Sequence, residues 1–188
     1  MKLIRTEIPD VILCKPNVHS DDRGYFYEVF KKEVIESFIG ETINFCQDNE
    51  AKSSSNVLRG LHYQLPPYAQ CKLVRVIKGK VLDVVVDIRK GSKTFGKKIA
   101  VELSEENKYQ LFVPKGFAHG YVTLAEGTIF GYKVDNYYNK DSERGILFSD
   151  PELNIDWQLP IETLTISEKD KLQPLFKDAD VFEPNFIK

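Results

Sequence analysis

The sequence predicts an all-β protein, built as an antiparallel sandwich or barrel. Many short runs rich in β-branched and aromatic residues fill the first three quarters of the chain. Clusters of Gly, Pro, Asn, Asp and Ser separate these runs, and no long helical pattern lies between them. Short strands at close spacing, without intervening helices, favour antiparallel pairing over parallel βαβ units.

The individual elements follow from local patterns. Turns at 78–80 and 126–127 would join neighbouring strands as hairpins. Helical signals are weak and are confined to residues 31–38 and to the segment that begins at Ser167. Residues 150–188 are richer in Pro and charge, and we expect them to wrap or cap the barrel. The predicted strands span residues 25–30, 43–47, 57–64, 72–77, 81–88, 97–103, 110–113, 120–124 and 128–134.

Composition bounds the class of protein. A chain of 188 residues is most simply one domain. The net charge of −2 disfavours a nucleic-acid binder or a protein of anionic membrane surfaces. No apolar run approaches the roughly 20 residues that span a bilayer, and charges interrupt the N-terminal segment too early for a signal peptide. Three cysteines without C-x-x-C spacing indicate reduced thiols in a cytoplasmic protein. The many strand edges lead us to expect a homodimer.

Two short segments hold two of the three histidines, at His62 in R-G-L-H-Y-Q and at His119 in P-K-G-F-A-H-G. Each histidine follows a glycine turn beside an apolar run, which suggests two imidazoles delivered into one pocket and points to proton chemistry. The P-x-G-x-x-H spacing is similar to half of the metal signature of cupin barrels. The other half would need a second imidazole where Gln64 stands, followed shortly by Glu, so we expect no metal.

Other ionisable residues have two interpretations each. Asp83 and Asp170 are both candidates to orient a histidine base, although S-x-x-D at Asp170 is also a helix capping pattern. Lys72 could hold an oxyanion or face solvent. Tyr132 could donate a proton or pack in the core. Residues 21–28 could form an edge hairpin or a surface that binds a base.

Seven segments in order, within about residues 10–171, resemble the dTDP-4-dehydrorhamnose 3,5-epimerase family, whose members are metal-free enzymes with a cupin-type jelly-roll barrel. The resemblance implies a barrel core at about 40–140, with the N-terminal strands and the C-terminal segment packed around it, and no cofactor. It depends on residues 21–28, 47–49, 57–64, 72–76, 83–89, 114–120 and 167–170.

The resemblance also implies roles for individual residues. His62 would be the general base, oriented by Asp170, and Tyr132 the acid on the opposite face of the sugar. Lys72, with His119 nearby, would stabilise an enolate oxygen. A dTDP-sugar substrate would be bound by a further set of residues, in which Arg23 and Arg59 hold the diphosphate, Tyr138 and Phe26 stack on thymine, and the segment 23–28 comes from the partner subunit. The remaining members of that set are Glu28, Gln47, Asp48, Asn49, Glu143 and Lys169.

Two positions depart from the family pattern. Ala51 stands where many relatives have Ser, and Gly131 precedes Tyr132 where a larger residue is common. Neither removes a catalytic group, but Gly131 could change how Tyr132 is aimed. A C3-only epimerase of a related 4-keto-deoxy sugar therefore stays open as an alternative. A non-catalytic sugar-nucleotide-binding barrel and a metal-dependent cupin oxygenase are two further alternatives.

Overall fold

A computed structural model describes residues 1–184, which form an all-β sandwich with two short α-helices. The predicted fold class is confirmed. Helix α1 spans Lys32–Ile39 and α2 spans Glu168–Lys171. The strands are β1 (Lys2–Arg5), β2 (Ile12–Lys15), β3 (His19–Asp21), β4 (Gly24–Phe26), β5 (Gln47–Ser53), β6 (Val57–Gln64), β7 (Lys72–Lys78), β8 (Lys80–Asp87), β9 (Lys98–Ser104), β10 (Gln110–Val113), β11 (Phe117–Thr123), β12 (Thr128–Val134), β13 (Glu143–Gly145) and β14 (Thr165–Ile166).

Two sheets face each other. The first sheet has the strand order β1-β2-β10-β7-β12-β5, and the second has the order β13-β6-β11-β8-β9, with β14 added alongside β6. All these pairings are antiparallel except that of β14 with β6. Strands β3 and β4 form a separate hairpin. Sequence-distant strands thus become neighbours, as in a rolled-up antiparallel sheet.

The interior between the sheets is apolar over most of its length. Val74, Val76 and Phe130 of the first sheet pack against Val81 and Val85 of the second. These residues alternate along their strands, because successive side chains in a strand point to opposite faces. The interior of the sandwich is therefore built from every second residue of the central strands.

Two further clusters cover the outer faces of the sheets. Helix α1 contributes Ile35 to a cluster on the outside of the first sheet. On the outside of the second sheet, Trp157 and Phe176 of the C-terminal segment pack against residues such as Leu58 and Leu82. The described part of the C-terminal segment therefore covers the second sheet.

A close approach of two glycines distorts the pairing of β6 with β11. The register runs from His119 opposite His62 to Tyr121 opposite Arg59, so two residues of β6 oppose Gly120. A Cβ at Gly60, which has a φ of +129°, would lie 2.5 Å from the Gly120 Cα. Both positions need glycine for this contact, and the extra residue forms a β-bulge.

No helix within residues 1–184 is long and apolar enough to cross a membrane.

Candidate functional site

A cavity of about 500 Å³ opens between the two sheets. The second sheet and its flanking strand β14 supply one wall, and the first sheet supplies the other. Four of the residues predicted to do chemistry, together with His119, line this single cavity. The lining consists of Ala51, Val57, Leu58, Arg59, His62, Lys72, His119, Tyr121, Phe130, Tyr132, Thr165, Ile166, Ser167, Lys169 and Asp170.

The bulge in β6 explains how Arg59 and His62 both reach the cavity. Residues three apart on a regular strand point to opposite faces. The extra residue in the bulge reverses that alternation, so Leu58 and Leu61 both pack in the cluster outside the second sheet while Arg59 and His62 both line the cavity. Bulges are a recurrent means of re-aiming side chains at sites.

His62 is paired with Asp170. The His62 Nε2 atom lies 2.6 Å from Asp170 Oδ1, and the Gly60 N–H donates to Asp170 Oδ2 at 3.4 Å. Ser167 caps α2 by accepting from the Asp170 N–H at 3.1 Å, so the capping pattern and the histidine contact coexist. Burial raises the pKa of Asp170. The hydrogen bond and the charge of His62, together with the hydrogen bond from the Gly60 amide, outweigh burial and hold that pKa below its usual value. Asp170 is therefore a carboxylate fixed against His62.

His119 is paired with a second aspartate, Asp83, rather than sharing one with His62. Its Nε2 lies 3.0 Å from Asp83 Oδ1 and 2.9 Å from Oδ2. This pair is far more enclosed than the first, since the side chains of His119 and Asp83 are 7% and 0% exposed, whereas that of His62 is 32% exposed. Asp83 therefore does not contribute to the His62 pair.

Lys72 reaches the cavity from β7 of the opposite sheet. Its Nζ donates to the His62 backbone carbonyl at 3.4 Å. Burial lowers the pKa of Lys72 to about 8, against the charges of Asp83 and Glu143, which raise it. At neutral pH the group is thus a cation held in a site of low solvent access, where it acts strongly on a developing negative charge.

Tyr132 enters from β12 of the same sheet as Lys72. The register places Val134 beside Lys72 and Tyr132 beside Val74, so Tyr132 and Lys72 share the inner face of the sheet. Burial raises the pKa of Tyr132, and the charge of Arg59 opposes that effect. The phenol is protonated at neutral pH and faces the cavity across from His62.

This arrangement brings together a histidine paired with an aspartate, a phenol on the other wall and a buried cation. Such a set can abstract a proton from a carbon next to a carbonyl, stabilise the enolate oxygen and return a proton from the other side. Within residues 1–184, no three His, Cys, Asp or Glu side chains converge to form a metal-binding group.

Comparisons with known proteins agree with this chemistry. The family model described as dTDP-4-dehydrorhamnose 3,5-epimerase matches residues 5–178. The chain belongs to the dTDP-4-dehydrorhamnose 3,5-epimerase family. It is 53% identical over 182 residues to the enzyme of that name from Shigella flexneri, covering 97% of this chain and 99% of the relative.

Solved structures of the epimerase family have the same fold. The dTDP-4-dehydrorhamnose 3,5-epimerase from Elizabethkingia anophelis is 50% identical, with a TM-score of 0.92 and coverage of 95% of this chain and 97% of that one. The dTDP-6-deoxy-D-glucose-3,5-epimerase from Legionella pneumophila, in complex with dTDP-4-keto-L-rhamnose, is 44% identical, with a TM-score of 0.92 and coverage of 97% of both chains.

Three residues expected from the epimerase family to bind substrate form a chain near the cavity. Lys169 lines the cavity and is bonded to Glu143, which also accepts from the Tyr138 hydroxyl at 3.0 Å. Burial raises the pKa of Glu143, but these bonds and the positive charge of Lys169 lower it below its usual value. Tyr138 is 57% exposed, so its ring is free to stack on a ligand.

The strand β5 places its expected substrate residues on different faces. Gln47, Asn49 and Ala51 alternate with exposed neighbours, and Ala51 lines the cavity, so this face of β5 is directed inwards. The Gln47 amide donates to Asn49 Oδ1 at 2.7 Å. Asp48 points the other way and pairs with Lys133 outside the sandwich. The alternation of a strand thus separates Asp48 from the cavity.

The predicted segment 23–28 is also outside this cavity. Arg23 has a side chain that is 90% exposed and pairs with Asp21, and Phe26 is 69% exposed at the end of the β3–β4 hairpin. Glu28 follows the hairpin and is exposed as well. Within one described chain, these three residues do not meet His62.

Two aromatic residues of the cavity wall were not among the predicted site residues. Tyr121 stacks on Phe130 with ring centroids 4.0 Å apart and an interplanar angle of 19°. Burial raises the pKa of Tyr121 to about 12, against the charge of Arg59. The spacing of two from His119 to Tyr121, and from Phe130 to Tyr132, is the signal that could have found them, since residues two apart share a face.

Proposed function

We propose that this protein is a dTDP-4-dehydrorhamnose 3,5-epimerase, which converts dTDP-4-dehydro-6-deoxy-D-glucose to dTDP-4-dehydro-L-rhamnose for dTDP-L-rhamnose synthesis. The observation that carries the proposal is the arrangement of His62, with Asp170 behind it, opposite Tyr132 in the cavity that also holds Lys72. An epimerase must remove a proton from one face of a carbon and return one to the other face. The two walls of the cavity supply a base and an acid for these steps.

In the proposed mechanism, His62 takes the proton from a carbon next to the C4 ketone. Because Nε2 faces Asp170, the ring nitrogen available to accept the proton is Nδ1. The electron pair of the broken C–H bond moves into the C–C bond and the ketone becomes an enolate. Tyr132 then gives its hydroxyl proton to the same carbon from the opposite face, and exchange with solvent restores both residues. The cycle is run once at C3 and once at C5.

Stabilisation of the enolate falls to Lys72 and His119. The negative charge that develops on the C4 oxygen needs a preorganised donor or cation, and one such group is worth about 10²–10³ in rate. Lys72 supplies a buried cation on one wall and His119 a ring on the other. This mechanism uses side chains alone and no cofactor.

The nucleotide would lie towards the mouth of the cavity. Arg59 is exposed there, and its guanidinium is held by Ser53 Oγ at 3.2–3.3 Å, which suits bidentate contact with a diphosphate. Lys169 and Glu143 would contact the substrate next to it, and Tyr138 would stack on thymine. Gln47 and Asn49 would approach from β5, whereas Asp48 lies on the opposite face of that strand and would not contact a substrate in this cavity.

The proposal includes a homodimer in which the segment 23–28 completes the partner's site. The hairpin pairs with no other strand of the described chain, and an isolated two-stranded hairpin is marginally stable in water. It carries exposed Tyr25 and Phe26, together with Arg23 and, just beyond, Glu28. These groups suit a second subunit's nucleotide site better than solvent. We also place the enzyme in the cytoplasm, on the support of its three free cysteines.

The experiment that tests the function is NMR of dTDP-4-dehydro-6-deoxy-D-glucose incubated with the protein in D₂O with a chelator. We expect deuterium at both C3 and C5, and we expect His62→Ala to abolish incorporation. Deuterium at C3 alone would assign the protein to the C3-only epimerases. Tight dTDP binding without exchange would indicate a binding protein instead. Loss of activity on chelation, with stoichiometric iron in the untreated protein, would favour an oxygenase.

A further inference from the structure

Asp83 is a buried acidic residue to which the mechanism above gives no role. It lies on β8 inside the sandwich, is 0% exposed, and its neighbours on the same face are Val81 and Val85. Among residues 1–184, its hydrogen-bond partner is His119, which approaches both carboxylate oxygens through one nitrogen. A carboxylate in apolar surroundings is costly unless it is paired, so this contact needs an explanation beyond packing.

The contact fixes the tautomer and the direction of the His119 ring. A nitrogen that faces two carboxylate oxygens at 2.9 and 3.0 Å carries a hydrogen, so Nε2 is the protonated position. The ring is further held by stacking on Phe130, at 6.3 Å between centroids. No buried side-chain nitrogen or oxygen of the described residues lacks a partner. The His119 Nδ1 atom has no hydrogen-bond partner among residues 1–184, so it must be accessible from the cavity that His119 lines.

The two aspartate–histidine pairs differ in burial, and that difference separates their roles. His62, at 32% exposed, can exchange its proton with solvent after each step, as a base must. His119, at 7% exposed and bonded to a carboxylate with no exposure, is enclosed and suits a proton that stays in place. A fixed, preorganised donor is what an enolate oxygen requires.

We propose that Asp83 is a positioning residue that holds His119 as an imidazolium, so that its Nδ1–H donates a second hydrogen bond, beside Lys72, to the C4 oxygen of the enolate. This inference rests on the proposed epimerase function. A neutral His119 with its hydrogen on Nε2 could only accept at Nδ1, and would face the enolate oxygen with a lone pair.

The surroundings of His119 are consistent with a charged pair. Asp83 is the acidic group in contact with it. Two cations, Lys72 on β7 and Arg59 on β6, line the same cavity, and Asp83 raises the pKa of Lys72 through its charge. One buried carboxylate thus compensates positive charge on both enolate donors. The other ionisable side chains that line the cavity are His62, Tyr121, Tyr132, Lys169 and Asp170.

The first test is the kinetics of Asp83→Asn. The amide keeps the volume and can still accept from Nε2–H, but it carries no charge. We expect kcat to fall about 10²–10³-fold while KM changes little, because the interaction is made only as the enolate forms. Asp83→Asn/His119→Asn should be no slower than His119→Asn alone. The matched control is Asp87→Asn, which also removes a fully buried carboxylate of β8. That carboxylate lies away from the cavity, where it bonds to Arg89, Ser92 and Thr94.

The second test is the ¹⁵N NMR spectrum of the histidine rings in the substrate-free wild-type protein. Only three histidines are present, so His19→Asn and His62→Asn assign the signals. We expect hydrogen on both ring nitrogens of His119 at pH 7, and on one in Asp83→Asn.

A neutral His119 in the wild type, or wild-type kcat in Asp83→Asn, overturns the inference. If Asp83→Asn does not fold, the wild-type spectrum alone decides. Because it needs no substrate, it stands apart from the deuterium experiment, whose failure would count against the epimerase function instead.

Discussion

His62 and Tyr132 face the same cavity from different sheets, His62 on β6 and Tyr132 on β12. A planar enolate held between them would have one residue on each face. Inversion of configuration then follows from the architecture of the sandwich, because no side chain has to cross the sugar ring. Each residue can be removed separately, and each removal has a different expected consequence.

Removal of the Asp170 charge should disable the base. In Asp170→Asn, His62 loses the carboxylate that fixes its tautomer and stabilises its protonated form, so we expect kcat to fall about 10²–10⁴-fold. Deuterium incorporation at C3 and C5, followed by NMR, measures the effect. Ser167→Ala is the matched control, since it removes the helix cap on the Asp170 N–H but leaves the carboxylate. Equal losses of rate in the two variants would show that Asp170 acts through the helix and not through His62.

Removal of the Tyr132 hydroxyl should separate exchange from inversion. In Tyr132→Phe, His62 can still abstract a proton and return a deuteron to the same face. We therefore expect deuterium to enter unchanged substrate while formation of epimerised product falls at least about 10²-fold. Tyr109→Phe is the control, because Tyr109 packs at the edge of the same interior cluster without lining the cavity. Product formation at the wild-type rate in Tyr132→Phe would eliminate Tyr132 as the acid.

The pH dependence of kcat should report Lys72. In the proposed mechanism the cationic form of Lys72 is the active one. Burial lowers its pKa to about 8, so kcat should decline as the pH rises through about 8. Tyr132 does not cause this decline, because burial raises its pKa and keeps the phenol protonated in that range. Lys72→Arg keeps the charge at all these pH values, and we expect its lower activity to show no such decline. A decline that persists unchanged in Lys72→Arg would have another origin.

The contact of Gly60 with Gly120 should be essential to stability. Gly60→Ala places a Cβ 2.5 Å from the Gly120 Cα and 2.9 Å from the His119 carbonyl, so we expect a loss of about 2–4 kcal/mol in the free energy of unfolding. Gly24→Ala is a close control: its φ is +127°, yet a Cβ there meets nothing within 4 Å. It bears the same backbone strain without the clash, and urea denaturation of both variants isolates the steric part. A similar loss of unfolding free energy in both variants would mean that β6 and β11 move apart at little cost, and that the steric contact contributes little to stability.

Most strands of the two sheets could be predicted from the sequence, including β6, β7 and β12, which line the site, whereas β5 could not. Strands β6, β7, β8, β10 and β12 fall within a residue or so of the predicted ranges, since their apolar residues recur with the strand period. Strand β5 was expected at 43–47 but spans Gln47–Ser53, which contains no large apolar residue. It is an edge strand whose inner face carries the polar residues Gln47 and Asn49, so the usual hydrophobic alternation is missing.

Other differences have equally local reasons. Strands β1 and β2 were not predicted, and they lie at the edge of the first sheet in four-residue pieces. Strand β11 begins at Phe117 rather than at 120, because the glycines near His119 obscure the pattern. His62 and its partner Asp170 are 108 positions apart in the sequence. Whether Asp83 or Asp170 pairs with His62 could therefore be decided only from the fold. Composition and periodicity do not encode which carboxylate reaches which histidine.

Complementation between inactive subunits should show whether the segment 23–28 acts across a dimer. In a 1:1 mixture of Arg23→Ala and His62→Ala chains, half of the dimers combine the two. If the hairpin serves the partner, one of the two sites in such a dimer pairs an intact His62 with an intact Arg23. We therefore expect about a quarter of the wild-type activity in the refolded or co-expressed mixture, although each variant alone is nearly inactive.

The control is a mixture of His62→Ala with Tyr132→Phe, whose two residues line the same cavity of one chain. That mixture should stay inactive, because every site lacks one group. Absence of recovery in the first mixture, with heterodimers verified by mass, would place the hairpin in its own subunit's site or outside the site altogether.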